Sequence, residues 1–295
     1  ELEYKAAPQE VCAPANFCED KLNIYISGDG FDYIFSKHYG TFTSIKVSGE
    51  EQLAEKVQIS AFRAPTDNDE RSMLQYWTFE NIWQGENLER AFTKVYDCSV
   101  VDGEIVVTAS LSGVSRMPLA RYTIVYKIAD NGKIDVKLAA KIREDAKWLP
   151  RFGFDFTLPK TADSFTYYGK GPLDNYADMS HCAPMGLYES DTKREYVPYV
   201  NPQEHGNHAD TRYLKIGKLI FASQNGFEFN ASQYSAMALF KARHTDELVP
   251  DGVTHLRIDY KVSGVGSGAC GPITHENYRL SEKEIKFSFS LQPNT

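Results

Sequence analysis

The chain has 295 residues, of which 42% are hydrophobic and 24% charged, and its formal net charge is −8 at pH 7. This acidic balance argues against nucleic acid as a partner, because such a protein needs a basic surface to release counterions from phosphate. The sequence has neither an apolar run as long as a membrane span nor a lysine-rich block that would favour a membrane surface. These proportions are typical of a globular protein whose core needs no disulfides.

Residues 1–20, which include Pro8 and Pro14, are predicted to be a connector from a preceding domain. Residues 21–295 are predicted to form one domain. The start of the chain has no apolar segment like that of a signal peptide. It also lacks an initiating methionine, as either an excised piece of a longer protein or a chain with a trimmed tag would.

The 5 cysteines are scattered, and none belongs to a C-x-x-C pair, which excludes zinc-ribbon and thioredoxin-type sites. Unpaired thiols are typical of cytoplasmic proteins, so we expect a cytoplasmic location. A bridge between Cys12 and Cys18 would instead accompany export of the full-length protein, and the pattern leaves that alternative open.

Alternation of apolar and polar residues with a period of two predicts β-strands along most of the chain. The clearest pair flanks Asp130-Asn131-Gly132, where Asn-Gly predicts a hairpin with a type I′ turn and positive φ at both central residues. Further strands are predicted in KLNIYIS, FDYIFS, TFTSIKVSG, EIVVTASLSG, RFGFDFTLP, KLIFASQ, HLRIDYKVSG and IKFSFSLQP.

Helical patterns are few. Residues 75–92 fit a short helix or an ordered loop, and residues 232–248 fit two or three helical turns. Neither alternates with strands as a parallel α/β sheet requires. We therefore predict an all-β protein, a large antiparallel sandwich or barrel with few short helices.

The stretch SAFRAPTDNDER, residues 60–71, places Arg63 before Asp67, Asn68 and Asp69. From the residues alone it is a strand that ends in an Asx-rich turn, whose side chains cap their own backbone. A calcium loop would need D-x-D-x-D spacing and a glutamate at the twelfth position, and the sequence meets neither condition.

The stretch YYGKGPLDNYADM, residues 167–179, places two glycines and a proline after a strand and before Asp174 and Asn175. It does not match the G-x-x-x-x-G-K-[ST] pattern of a phosphate loop. We expect a tight turn that presents a polar side chain.

The stretch YVNPQEHGNHADTRY, residues 199–213, is rich in polar residues. On a strand, the adjacent Glu204 and His205 would face opposite sides and could not share a task. Zinc would need a third ligand besides His205 and His208, and no spacing singles out another histidine. We expect a polar loop without metal.

The stretch SGVGSGACGPITHENY, residues 263–278, is rich in glycine. Two interpretations fit it equally. The glycines form a flexible connector between two strands, or they let the backbone approach a ligand closely, with Cys270 or its amide pointing into a site.

Taken in order, FRAPTDND, YYGKGPLDNY, YVNPQEHGNHADTR, ARHTDEL and GVGSGACGP resemble the C-terminal, small-chain domain of glycoside hydrolase family 2 β-galactosidases. The resemblance extends over essentially the whole chain. It implies a large antiparallel supersandwich similar to galactose mutarotases. It also implies retaining hydrolysis of terminal β-galactosides such as lactose by two glutamates roughly 5 Å apart. In that family these glutamates lie in a (β/α)₈ barrel earlier in the full chain.

By this resemblance no catalytic residue lies in the chain, and an isolated fragment is expected to be inactive. The chain would complete the active-site wall. Its expected partners are the catalytic barrel domain and a galactoside, and homo-oligomerisation is a further expectation. We expect no cofactor or metal here, while a divalent-metal requirement of the parent enzyme stays open. The positions expected to face the pocket or shape its loops are Arg63, Asp67, Asn68, Glu204, Asn207, Arg212, His244 and Cys270.

Three positions depart from the family pattern. Some relatives carry a tryptophan that stacks on the sugar near the position of Cys270, so we expect weaker stacking beyond galactose, by about 0.5–1.5 kcal/mol. Arg71 stands where a glycine is common, and His205 replaces the asparagine of PQENGN.

Two other functions are carried as alternatives. An aldose 1-epimerase needs a general acid and base beside the anomeric carbon, for which His244, His205 and Glu204 are candidates. A carbohydrate-binding module needs an exposed aromatic platform, for which Trp77, Trp83 and Trp148 are candidates.

Overall fold

The computed structural model describes residues 15–78, 85–266 and 272–294, and most of these lie in antiparallel strands. The strands are β1 (Asn16–Glu19), β2 (Asn23–Gly28), β3 (Phe31–Ser36), β4 (Thr41–Val47), β5 (Glu50–Glu51), β6 (Glu55–Ser60), β7 (Ala91–Val101), β8 (Glu104–Gly113), β9 (Ala120–Ile128), β10 (Ile134–Ile142), β11 (Arg151–Pro159), β12 (Ser164–Lys170), β13 (Met185–Asp191), β14 (Asn207–Ile216), β15 (Leu219–Ser232), β16 (Val253–Val262) and β17 (Glu284–Pro293).

Helices are short, as predicted. They are α1 (Asp67–Ser72), α2 (Leu74–Trp77) and α3 (Ala236–Lys241), with 3₁₀ turns at Leu88–Arg90, Thr245–Glu247 and Glu276–Tyr278. No helix among the described residues is long and apolar enough to cross a membrane.

The strands form two sheets. Strands β1 to β5 make a 5-stranded sheet in chain order, and the other strands make a 12-stranded sheet with the order β13-β12-β14-β15-β17-β10-β9-β8-β7. Strand β15 also pairs with β16, which continues through β11 to β6. The larger sheet therefore branches at β15. The prediction of a large, all-β antiparallel supersandwich is confirmed.

The hydrophobic core lies between the sheets. Phe35 and Phe42 of the small sheet contact the Tyr126 ring of β9 edge to face, with centroid distances of 5.2 and 5.4 Å. Tyr122, Ile124, Tyr126 and Ile128 are all buried, as the alternation along β9 predicts.

The β9–β10 hairpin forms, but its turn differs from the prediction. Only Gly132 of the predicted Asn-Gly pair has positive φ, at 80°, so the type I′ prediction is wrong. The Gly132 amide donates to the Ala129 carbonyl at 2.9 Å, and Ala129 and Lys133 pair around a three-residue loop. Such a loop combines a tight turn with one left-handed residue, which glycine supplies.

The predicted connector overlaps one strand. Of residues 1–20, only 15–20 are described, and β1 within them pairs with β2. The domain boundary at residue 20 stays a prediction.

Candidate functional site

One face of the β11–β16–β15 region carries polar and charged side chains. Phe154, Ile258 and Phe229 face the core, and the alternate residues face the other way. Those alternate residues include Arg151 on β11, Glu228 on β15, and Arg257 and Asp259 on β16. We call this surface the polar face.

Arg151 and Asp259 form the centre of the polar face. Arg151 Nε lies 2.9 Å from both carboxylate oxygens of Asp259, and both side chains are fully buried. Arg151 also donates to Asp155 at 2.7 Å and to the Phe62 carbonyl at 3.0 Å. Burial raises the pKa of Asp259 although Arg151 opposes this shift. The pair joins β11 to β16 and leaves no free base.

Glu204 and Arg257 form the second buried pair. Arg257 Nη1 donates to Glu204 Oε2 at 2.8 Å, and Nη2 donates to Oε1. Burial acts to raise the pKa of Glu204, but the adjacent Arg257 guanidinium outweighs it, so the pKa is lowered. Tyr176 donates to the same carboxylate at 3.3 Å. Glu204 is therefore a bound carboxylate and not a general acid.

The predicted Asx-rich turn is instead the start of α1. Thr66 is the N-cap: its hydroxyl accepts from the Asp69 amide at 3.3 Å, and Asp69 Oδ2 accepts from the Thr66 amide at 2.9 Å. Side chains cap the local backbone as predicted, but they do so in the reciprocal capping box of a helix end and not in an Asx turn. Arg63, which is buried, donates to both oxygens of Asp69 at 3.0–3.1 Å.

The segment Ser263–Gly266 lies against the start of α1. Arg63 Nη2 donates to the Gly264 carbonyl at 3.2 Å, and Nη1 donates to that of Ser263. Asn68 Nδ2 donates to the Val265 carbonyl at 2.8 Å. Segments far apart in the sequence thus meet through hydrogen bonds from side chains to backbone carbonyls.

Asp178 holds the same segment from the other side. Its carboxylate accepts from the amides of Val265 at 3.1 Å and Gly266 at 2.8 Å. A Cβ on Gly264 would lie 2.6 Å from Asp178 Cγ, so glycine permits this close approach. We name the assembly of Arg63, Asn68, Asp69, Asp178 and Ser263–Gly266 the α1 cluster.

The two interpretations of residues 263–278 are separated only in part. Residues 263–266 are fixed by side chains on both sides, which does not fit a free connector. Cys270, predicted to point into a site, lies outside the described residues.

The histidines of residues 199–213 are structural. Glu204 and His205 lie in the expected polar loop and are both buried, whereas β14 begins at Asn207, so the loop is shorter than predicted. His208 Nε2 lies 2.9 Å from Glu195 Oε2, and Nδ1 lies 3.1 Å from Tyr167 Oη. Within the described ranges, no group of three or more His, Cys, Asp or Glu side chains could hold a metal ion.

Asn175 closes the predicted tight turn. Its side chain is fully buried and donates to the carbonyls of Lys170 and Leu173 at 3.1 and 3.0 Å. Its oxygen accepts from the Ala209 amide at 2.9 Å. Asn207 in turn donates to the Asn175 carbonyl at 2.9 Å and to Glu228 at 2.7 Å. The polar side chain of the turn thus faces the protein interior.

The remaining predicted positions lie elsewhere on the surface. Asp67 is exposed, and its carboxylate accepts from Asn201 at 3.3 Å. Arg212 is half-buried on β14. His244 is exposed and lies 3.3 Å from Glu247.

Two of the three aromatic-platform candidates, Trp77 and Trp148, are not free rings on the surface. Trp77 is 3% exposed and packs edge to face with Trp148, with ring centroids 6.3 Å apart. The Arg279 guanidinium lies 4.3 Å from the centroid of the Trp148 ring. Trp83 lies outside the described residues.

Sequence reasoning missed Asp178, Asp69 and Arg257. Asp178 lies near the end of residues 167–179, and the prediction for that stretch considered only Asp174 and Asn175. In HLRIDYKV, charges at alternate positions of an apolar strand were a signal for a covered polar face.

Comparison with known proteins assigns the family. The model of the β-galactosidase small chain matches residues 27–291. The chain belongs to this family. The β-galactosidase of Actinobacillus pleuropneumoniae is 33% identical to the small-chain domain over 277 residues, which is 92% of this chain and 27% of that protein. The β-galactosidase of Kluyveromyces lactis is 32% identical over 292 residues, 94% of this chain and 28% of that protein.

The small-chain domain thus spans about a quarter of the length of the curated relatives it matches. Among solved structures, galactose 1-epimerase from Lactobacillus acidophilus NCFM superposes with a TM-score of 0.42 at 12% identity, covering 95% of this chain and 98% of that one. The GalM/aldose epimerase homologue from C. elegans gives 0.46 at 9% identity, covering 94% and 97%.

Proposed function

We propose that this chain is the C-terminal domain of a retaining β-galactosidase and completes the wall of an active site for terminal β-galactosides such as lactose. The two glutamates of such a reaction would come from a catalytic barrel domain outside the chain. Family membership and relatives named β-galactosidase, of which this chain covers about a quarter, support the proposal.

The main structural support for the proposed role in the active-site wall is the α1 cluster. It ties the start of α1 to Ser263–Gly266 through Arg63, Asn68 and Asp178, with backbone groups on one side of every contact to the segment. Such bonds fix the course of a loop without supplying a reactive group. This is what a wall requires, because pocket geometry must be held within about 0.5 Å to serve catalysis.

The two carboxylates that pair with arginines of the polar face fit a non-catalytic role. Glu204 is bound by Arg257, and Asp259 is bound by Arg151. A retaining glycosidase needs one carboxylate free to attack and another free to give up a proton. Neither Glu204 nor Asp259 is free in this sense.

The proposed partners are the barrel domain of the same full-length protein and its galactoside substrate, with self-association as a further proposal. We propose no cofactor for this chain, and we leave any divalent-metal need to the barrel. A cytoplasmic location is proposed on the free thiols of Cys18, Cys98 and Cys182.

A chimera tests the proposal. The C-terminal segment of the A. pleuropneumoniae β-galactosidase is replaced by this chain, and hydrolysis of lactose and o-nitrophenyl β-galactoside is compared with that of the enzyme truncated before the segment. We expect the chimera to regain activity. Asp178→Ala in the chimera should lower kcat/KM, whereas Glu189→Ala on the exposed surface of β13 should not. A folded chimera no more active than the truncated enzyme would contradict the proposal.

A further inference from the structure

The branch of the large sheet opens a cleft. Strand β15 pairs with β17 through residues 219–222 and with β16 through residues 228–232, so β16 and β17 diverge beyond it. A cavity of about 540 Å³ lies between them, with residues 225–228 of β15 in its lining and residues 276–282 along another wall. This size is in the range of pockets that bind small molecules.

The charges that line the cleft balance. Two of its lysines are ion-paired, Lys170 with Asp210 at 2.7 Å and Lys261 with Glu282. Glu228 and Glu276 are matched in number by Lys286 and Arg279. Because these formal charges cancel in number, the lining as a whole favours a neutral polar ligand over a strongly charged one.

The cleft also offers acceptors that the protein does not fully use. Glu282 Oε2 is buried and has no hydrogen-bond partner among the described residues, since Lys261 binds the other oxygen. A buried acceptor left without a donor costs free energy, which a ligand hydroxyl would recover.

Glu228 is a second carboxyl group in the cleft lining. It accepts from Asn207 at 2.7 Å and from the backbone of Val262, and burial raises its pKa to about 7. Near neutral pH this carboxyl can donate or accept a hydrogen bond, which suits a hydroxyl group.

Tyrosine rings supply an apolar surface in the same cleft. Tyr260 packs on Phe287 with a centroid distance of 6.1 Å, and Tyr278, which is 38% exposed, lies on the wall formed by residues 276–282. A pyranose ring has C–H groups that pack on such rings and hydroxyls that need acceptors.

We propose that this cleft is a binding site for a neutral saccharide, held by hydroxyl contacts to Glu228 and Glu282 and by packing on Tyr278. The site adjoins the α1 cluster, since the Gly264 amide donates to the Tyr278 carbonyl at 2.8 Å, but it does not rest on the proposed function.

Chemical-shift mapping on the 295-residue chain tests the site. The probes are methyl β-galactopyranoside, glucuronate and glucosamine, which are neutral, anionic and cationic sugars of similar size. We expect the neutral probe to shift the amides of Asp210, Glu228, Lys261 and Glu282 at millimolar concentration. Asn225→Trp, which fills the cleft from an exposed position of β15, should raise the apparent Kd at least about tenfold.

Gln224→Trp is the matched control, because residue 224 is equally exposed on the adjacent position and is not in the cleft lining. It should leave the shifts unchanged. The proposal is overturned if no probe shifts these amides, if Asn225→Trp leaves binding intact, or if only a charged probe binds. The cleft proposal is tested by amide shifts of the chain alone and the proposed function by the activity of the chimera, so the failure of one is distinguishable from the failure of the other.

Discussion

Glu204 and Arg257 form a buried ion pair in which both carboxylate oxygens are occupied, with side chains only 2% and 9% exposed. Glu204 precedes β14, and Arg257 lies in the middle of β16. The pair therefore holds the loop that precedes β14 against the polar face. Glu204, one of the candidate acid–base groups of the epimerase alternative, therefore has a structural role.

Glu204→Gln is expected to destabilise the protein by about 3–5 kcal/mol, because it leaves the Arg257 charge buried without a counter-charge. Urea denaturation measures the loss. Glu19→Gln, which removes a half-exposed partner of Lys37, is the control and should cost less than about 1 kcal/mol. Equal losses for both variants would show that the buried pair contributes no more than a surface pair.

The local sequence pattern was sufficient to predict strands that have one apolar face. In β9 the alternating residues Tyr122, Ile124 and Tyr126 all face the core, as the pattern indicates. The pattern failed for β14, whose buried residues Asn207 and His208 are polar because their partners come from other strands and loops. The burial of these polar residues depends on which strands and loops pack against β14, and a local sequence pattern does not reveal that.

For the candidate site, too, the sequence identified individual residues but not the contacts between them. Arg63 and Asn68 were identified through a family motif, yet their contact with Ser263–Gly266 depends on how α1 and the end of β16 meet. Asp178 has no spacing relation to either segment. A single sequence can propose the motifs, but only the assembled sheet brings them together.

Asp178→Ala should loosen Val265 and Gly266 specifically. The variant removes the acceptor of both amides, and bonds to a charged group contribute about 1.5–3 kcal/mol. Hydrogen exchange should show the free energy of opening of these two amides reduced by about that amount. Asp174→Ala is the matched control, because Asp174 accepts from the Gly206 amide, so only Gly206 should respond. Unchanged exchange at Val265 and Gly266 would contradict the assigned role.

Gly153→Ala should be far more costly than a substitution at an open glycine. A Cβ at residue 153 would lie 2.2 Å from Asp259 Oδ1 and 2.4 Å from the Ile258 carbonyl, so it would displace the Arg151 partner. We expect a loss of about 3 kcal/mol or more in the free energy of unfolding. Gly49→Ala, at φ +78 with nothing within 4 Å, isolates backbone strain and should cost about 1–2 kcal/mol. A smaller loss at residue 153 than at residue 49 would refute the packing argument.

The chain is expected not to accelerate the mutarotation of α-galactose. Glu204 is bound by Arg257, and His205 Nδ1 lies 2.9 Å from the Gln203 carbonyl, so two of the epimerase candidates are engaged. Polarimetry of freshly dissolved sugar measures the rate with and without the protein. Acceleration that His244→Ala abolishes would favour the epimerase alternative.

Glu228 should make stability depend on pH between about 4.5 and 7. Burial raises its pKa from 4.5 to about 7 in the folded protein, whereas the unfolded chain ionises near the ordinary value. Within this window the folded state retains a proton that the unfolded state loses, so the free energy of unfolding falls as the pH rises and then levels off above 7. Because the carboxyl is only half-buried, we expect the full effect to be about 2 kcal/mol.

Glu228→Gln removes this titration. The stability of the variant relative to the parent should therefore increase by about 2 kcal/mol between pH 5 and pH 8, measured by urea denaturation at each unit of pH. Glu189→Gln, at an exposed position of β13, controls for the loss of one carboxylate. A difference between Glu228→Gln and the parent that stays flat across this range would show that Glu228 is already ionised in the folded state at pH 5, and would contradict the raised pKa.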